Sequence, residues 1–147
     1  MIETSTIRHQ AGVIAYRVLN DEIRVLLITS RDTGRWIIPK GNIGVHATPA
    51  EAAEKEAYEE AGIRGTFAGS VPLGFYTYFK RLDFGEMLPA TVAVYPLQVT
   101  KQCKKWPEKG ERRLAWVSLE EAIALIDEPG LIPLLRRLTQ LQNPGNR

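Results

Sequence analysis

A chain of 147 residues is about one domain long, and its 44% hydrophobic and 24% charged residues are ordinary for a globular fold rather than for a disordered or fibrous protein. A formal net charge of +2 is too small to mark a protein that coats nucleic acid, and no apolar run approaches the roughly 20 residues that a membrane span needs. The single cysteine, Cys103, excludes an internal disulfide and a multi-cysteine zinc site.

The opening segment, MIETSTIRHQ, has no basic-then-apolar signal pattern, so a cytoplasmic location is expected. AGVIAYRV (11–18) and IRVLLITS (23–30) are apolar and β-branched and predict a hairpin through Leu19-Asn20-Asp21-Glu22. WIIP (36–39) predicts a short third strand closed by proline, and the glycine-bearing loop KGNIGVHA follows it. A helix with clear start signals comes next. Thr48 is its N-cap, Pro49 its first residue and Glu51 the partner that completes a capping box, and Gly62 marks its end.

GTFAGSVPLGFYTYFKR (65–81) and ATVAVYPLQV (90–99) are rich in Phe, Tyr, Thr and Val and predict two long strands joined by LDFGEMLP. Lys101, Lys104, Lys105, Lys109, Arg112 and Arg113 then crowd a polar segment that reads either as a solvated loop or as a patch receiving an anion. RRLAWVS (112–118) predicts one more strand, and Ser118 with Glu121 caps a helix over LEEAIALID. The last helix, 131–142, carries Leu131, Leu134, Leu135, Leu138 and Leu141 at helical spacing, a core stripe. These elements define an α+β domain over residues 1–147: a mixed β-sheet with helices packed on it.

The helix EAAEKEAYEEAGI (51–63) poses a chemical question. On a wheel of about 100° per residue, Glu56, Glu59 and Glu60 fall in a sector of about 100°, and like charges so placed repel by roughly 0.2–0.5 kcal/mol per pair. Ala52 and Ala53 lie one turn back in the same sector and are small enough to leave space above it, while Ala57 and Ala61 can pack the helix on the sheet. Converging carboxylates beside open space suit a hard divalent cation, and magnesium prefers carboxylates, waters and substrate phosphates. The alternative is a solvated acidic helix in which Glu51 pairs with Lys55.

The order of these features resembles the Nudix hydrolase signature, G-x5-E-x7-R-E-U-x-E-E-x-G-U with U a bulky apolar residue, laid from Gly41 to Ile63. Gly41, Glu56, Glu59, Glu60, Gly62 and Ile63 match. Ala47 stands at the first glutamate position, Lys55 at the arginine and Ala57 at the first apolar position; Lys55 keeps the charge but loses the planar fork. RHQAGVIAYR, LLITSRDTGRWIIPKG and EKGERRLAWVSLEEA are similar to the diphosphoinositol and diadenosine polyphosphate branch of that family, over about residues 8 to 138.

The resemblance implies a Nudix fold, a mixed sheet sandwiched between helices, and a magnesium-dependent pyrophosphohydrolase, with manganese as a substitute ion. It makes Glu56 and Glu60 metal ligands, helped by the main-chain carbonyl of Lys40 or Gly41. Glu59 becomes the general base, with Glu56 and Glu59 completing the catalytic and metal sets. Ser30, Arg31 and Arg35 match the branch's phosphate-contacting segment, and Arg8, Arg17, Lys40 and Arg113 are further candidates from matching segments. Lys40 replaces a glycine of the branch and can itself reach a phosphate. Phe75, Tyr76, Tyr78, Phe79 and Trp106 are candidates for stacking a base, whereas Trp36 and Trp116 read as core. The expected partner is a small, highly phosphorylated molecule, either a dinucleoside polyphosphate or an inositol pyrophosphate, and no membrane. Two alternatives stand beside it: removal of pyrophosphate from an RNA 5′ end, and a Nudix-fold module that binds a nucleotide without cleaving it.

Overall fold

The structure is a computed structural model, which describes residues 7–142. Strand β1 (Arg8–Leu19) turns into β2 (Glu22–Thr29) through Asn20 and Asp21, both with positive φ, 51° and 65°. That is the geometry of a tight hairpin turn whose twist matches its strands. The expected third strand is shorter than its sequence suggests. β3 (Trp36–Ile37) pairs with the end of β2, and after Ile38 and Pro39 the chain starts a separate strand, β4 (Lys40–Asn42), antiparallel to β1. Proline has no N–H for a ladder, so the break falls there. Gly12 makes the crossing feasible: a Cβ on it would stand 2.5 Å from the Pro39 carbonyl oxygen and 2.8 Å from Lys40 Cβ.

Helix α1 (Pro49–Ala61) begins with the expected capping box: Thr48 accepts from the Glu51 N–H, and Glu51 accepts from the Thr48 N–H. Glu51 is thereby engaged at the cap, and Lys55 pairs with Glu59 instead, at 3.7 Å. Gly62 closes the helix at φ 68°. Its last carbonyls are taken up from outside. The Gln102 side-chain amide donates to the Ala61 and Gly62 carbonyls, the Cys103 N–H to Gly62, and the Glu108 N–H to Glu59. The Trp106 ring lies where a side chain at 62 would be, 2.3 Å from its ideal Cβ.

The expected strand over 65–81 is interrupted. β5 (Ile63–Phe67) and β6 (Gly74–Arg81) pair antiparallel, one after the other, with the single long β7 (Met87–Gln102), and residues 68–73 loop out between them. Gly69 at φ 97° and Pro72, without an N–H, account for the excursion. β7 also pairs in parallel with β1, which makes the sheet mixed, and β8 (Leu114–Ser118) pairs with β2. α2 (Leu119–Leu125) carries the second capping box and stops two residues short of its expected end, where Ile126 turns extended. α3 (Leu131–Gln142) covers the expected range.

Alternation along the strands divides the core between the two faces of the sheet. Ala11, Val13, Leu26 and Leu97 pack under α1 with Ala52, Ala53, Ala57 and Ala61. Four of the five helix alanines are therefore buried against the sheet, Ala52 and Ala53 among them, so these two serve packing rather than the space beside the acids. Ile14, Tyr16, Leu27 and Val94 pack on the other face with Leu131, Leu134, Leu135 and Leu138 of α3. Trp36 and Trp116 are half-buried, each with its outer ring face covered by an arginine, Arg113 at 5.4 Å and Arg17 at 4.9 Å.

Candidate active site

Because β4 pairs with the start of β1 and β2 with its end, a gap opens at this edge of the sheet. The α1 acids approach it from one face, and Tyr78 from the other. The result is a polar cavity of about 490 Å³ lined by Gln10, Ser30, Arg31, Asp32, Ile37, Lys40, Gly41, Asn42, Lys55, Glu56, Glu60, Tyr78, Lys80, Glu108 and Arg112.

Two of the three helix acids meet there. Glu60 is buried and its carboxyl lies within hydrogen-bonding reach of that of Glu56. Burial is the main force on Glu60, and with the charge of Glu56 it outweighs Arg112 and the Lys40 N–H, so the carboxyl is pushed up to about 8. Burial also raises Glu56, aided by Glu59. Gly41 makes the space: a Cβ on it would lie 2.3 Å from the Glu56 carboxyl carbon. Glu59 does not join the pair. It is half-buried and not part of the cavity lining, and it pairs with Lys55, one turn back, at 3.7 Å.

The other face carries a network in which sequence reasoning named Lys40, and Tyr76 and Tyr78 as rings to stack a base, but not Gln10, Asn42 or Glu128. The Lys40 amine lies over the Tyr78 ring at 4.7 Å and 3.9 Å from a Glu128 oxygen, with its side chain 8% exposed. Burial lowers its pKa, and Glu128 and Glu60 oppose the shift. Tyr76 donates to Glu128 at 2.9 Å, Tyr78 to Gln10 at 2.8 Å, and the Gln10 amide to Asn42 at 3.1 Å. Burial, with Glu128 nearby, holds Tyr78 up at about 12, so it stays a hydrogen-bond donor.

Ser30, Arg31, Lys40, Gly41, Glu56 and Glu60 come together on the cavity wall. Arg31 also meets Glu111 at 2.8 Å, and Arg35, outside the wall, meets Asp127 at 3.1 Å. Arg8 is exposed at the start of β1, and Arg17 and Arg113 lie on tryptophans away from the cavity. In the Arg112-Arg113 pair it is Arg112 that turns inward, its side chain 7% exposed. Of the aromatic candidates, Tyr76 is buried and Tyr78 lines the cavity, whereas Phe75 and Phe79 are exposed on the opposite face of β6. Glu128 carries no local sequence signal. Strand alternation offered one for Tyr78, but its face was not readable without the pairing.

Among the described residues no three His, Cys, Asp or Glu side chains form a preassembled cage. The residues present nevertheless fit a hydrated magnesium ion, which is bound through one or two carboxylates, waters and substrate phosphates. Glu56 and Glu60 offer neighbouring hard oxygen donors, and the mutual repulsion of their charges is what a cation between them would relieve.

The comparisons agree with this geometry. A family model for the NUDIX domain matches residues 8–138, and the chain belongs to that family, the Nudix hydrolases. It is 35% identical over 130 residues to Nudix hydrolase 21, chloroplastic, from Arabidopsis thaliana, covering 83% of this chain and 61% of that protein, so it spans about three fifths of that relative. It is 27% identical over 143 residues to diphosphoinositol polyphosphate phosphohydrolase 2 from Rattus norvegicus, covering 95% of this chain and 75% of the other. A crystal structure of a binary complex of the C. elegans Ap4A hydrolase superposes with a TM-score of 0.67 at 26% identity, covering 90% of this chain and 95% of that one. No helix among the described residues is long and apolar enough to cross a membrane.

Proposed function

We propose that the protein is a metal-dependent pyrophosphohydrolase that cleaves a phosphoanhydride bond in a small, highly phosphorylated substrate. One observation carries the reading: a single cavity holds the contacting Glu56–Glu60 pair together with Arg31, Lys40, Lys55, Lys80 and Arg112. Relatives named for diphosphoinositol polyphosphates and for Ap4A support the substrate class.

Glu56 and Glu60 would hold the ion, with a main-chain carbonyl at Lys40 or Gly41. When bound, magnesium, or manganese in its place, neutralises charge on phosphate oxygens and acidifies water. The protein supplies the rest. Lys40 and Lys80 meet the phosphates from one wall and Arg31 from the other, and the Tyr78 hydroxyl stays protonated. Arg31, Arg35 and Lys40 already face carboxylates, which favours a linear chain of phosphates over the many-sided charge of an inositol pyrophosphate. The resemblance assigns the base to Glu59, but Glu56 is the one that lines the cavity. We assign proton acceptance to this pair and favour Glu56. The cytoplasm is the expected compartment.

The test is phosphate release, with and without magnesium, across diadenosine polyphosphates of increasing length, an inositol pyrophosphate, ADP-ribose and a triphosphorylated RNA. Magnesium-dependent cleavage rising with phosphate number is expected. A preference for ADP-ribose would refute the substrate class, and cleavage of the RNA with a steep salt dependence would replace it with a strand substrate. Absence of turnover on every substrate would leave a binding module. Glu59→Gln with turnover intact, beside an inactive Glu56→Gln, would put the base at 56; the reverse would put it at 59.

A further inference from the structure

We propose that Arg112 is the positioning residue of the acidic pair: reaching in from outside the signature, it fixes Glu60 for ion binding. The inference rests on the proposed function. Glu60 is gripped at both oxygens. One accepts the Lys40 N–H at 3.2 Å, and the other lies 3.5 Å from Arg112 Nη2. Arg112 is itself fully tied. Its Nη1 donates to the Thr29 carbonyl at 3.0 Å, and its Nε and Nη2 both reach one Glu108 oxygen, at 3.2 and 3.1 Å.

The backbone around it is anchored at two points. Thr29 and Arg113 exchange two bonds, Thr29 N–H to the Arg113 carbonyl at 3.1 Å and Arg113 N–H to the Thr29 hydroxyl at 2.9 Å. The Glu108 N–H donates to the Glu59 carbonyl at 3.0 Å, in the last turn of α1. The loop thus spans from the helix that carries the acids to the end of β2, and Arg112 hangs from it into the cavity.

Lys55, at the arginine position of the signature, does not serve this purpose. Its side chain is 67% exposed, and it meets Glu59 alone, by one contact. A lysine is a point charge, whereas the guanidinium fork can bridge two carboxylates at once in a fixed plane. Arg112 bridges Glu60 and Glu108 in that manner. Partners that hydrogen-bond a ligating carboxylate set its orientation, and losing one costs about 10–100-fold in metal affinity or activity.

The experiment compares wild type with Arg112→Lys and Glu108→Gln, each measured for kcat and KM on the substrate identified above, for magnesium uptake by calorimetry without substrate, and for melting temperature. Arg112→Lys should weaken magnesium binding by about 10–100-fold and lower kcat at subsaturating magnesium by a similar factor, with KM nearly unchanged. Glu108→Gln, which loosens the arginine, should give a milder form of the same defect. The double variant should then be no worse than Arg112→Lys alone. A raised KM with normal magnesium uptake would overturn the proposal and make Arg112 a phosphate contact. Lowered melting temperature with uptake and kcat intact would reduce it to structural glue. Should Arg112→Lys fail to fold, Glu108→Gln decides by the same readouts. If wild type neither takes up magnesium nor turns over, the functional reading fails; if wild type does both and the variants match it, only this inference fails.

Discussion

Gly41→Ala separates catalysis from stability most cleanly. An ideal Cβ there would stand 2.3 Å from the Glu56 carboxyl carbon and 2.6 Å from each of its oxygens, where ordinary contact begins at 3.4 Å. The carboxyl must therefore retreat by about 1.1 Å. It sits at the far end of a flexible side chain, and the three atoms nearest the new methyl all belong to it, so the fold should lose less than about 1 kcal/mol. The chemistry is less forgiving, because a displacement of about 1 Å in a reacting constellation can cost about 100-fold. That corresponds to ~2.7 kcal/mol in the barrier. Phosphate release at saturating substrate, a calorimetric magnesium titration and a melting curve on the same sample provide the assay. The expected result is a kcat about two orders of magnitude lower, weaker magnesium uptake and an unchanged melting temperature. A variant that keeps most of its kcat would show that Glu56 does not need its place against Gly41, and the two-carboxylate site would fall.

Gly12→Ala should behave in the opposite way: its Cβ meets the Pro39 carbonyl oxygen at 2.5 Å, which is backbone, so a loss of about 1–3 kcal/mol in urea unfolding is expected. The raised Glu60 carboxyl gives a pH signature. A carboxyl whose folded pKa, about 8, exceeds its unfolded value of 4.5 contributes its stability fully below that lower value and loses it as the pH rises through about 8. The metal-free protein should thus lose melting temperature relative to Glu60→Gln between those limits, and magnesium should restore more of it at the alkaline end; parallel curves would contradict the burial argument. Lys40→Met keeps the buried stem and removes the charge, so KM for a polyphosphate should rise about tenfold or more, the worth of one charge-assisted hydrogen bond. An unchanged KM would remove Lys40 from the phosphate path.

The parts of the fold written in local chemistry were legible. Both capping boxes, Gly62 and the leucine stripe of α3 from Leu131 to Leu138 lie where their residues announce them, because each depends on neighbours within a few positions, whereas Leu141, read as part of the stripe, is exposed near the end of the helix. Long-range pairing was not. Gly69 and Pro72 permit residues 68–73 to loop out, but only the pairing shows that β5 and β6 share one partner strand, β7. The same limit governs the site. The wheel placed Glu56, Glu59 and Glu60 in one sector, yet only the sheet edge decides that Glu60 is buried and Glu59 left with Lys55. Arg113 was singled out, whereas the structure turns its neighbour Arg112 into the cavity and lays Arg113 on Trp36, in the segment just before β8, which begins at Leu114 rather than at 112. Glu128 comes from the turn between α2 and α3, and only the folded chain brings it to Lys40 and Tyr76.

The carbonyls at the end of α1 are met by Gln102, Cys103 and Glu108, and Trp106 lies against Gly62. The acids and the arginine above them are therefore tied through these bonds to the end of β7 and the loop after it, and the Lys40 N–H ties Glu60 to β4 as well. A surface glutamine with no chemistry of its own, Gln102, thus closes the end of the helix that carries the acids, and its loss is expected to lower activity without touching any group that meets the substrate.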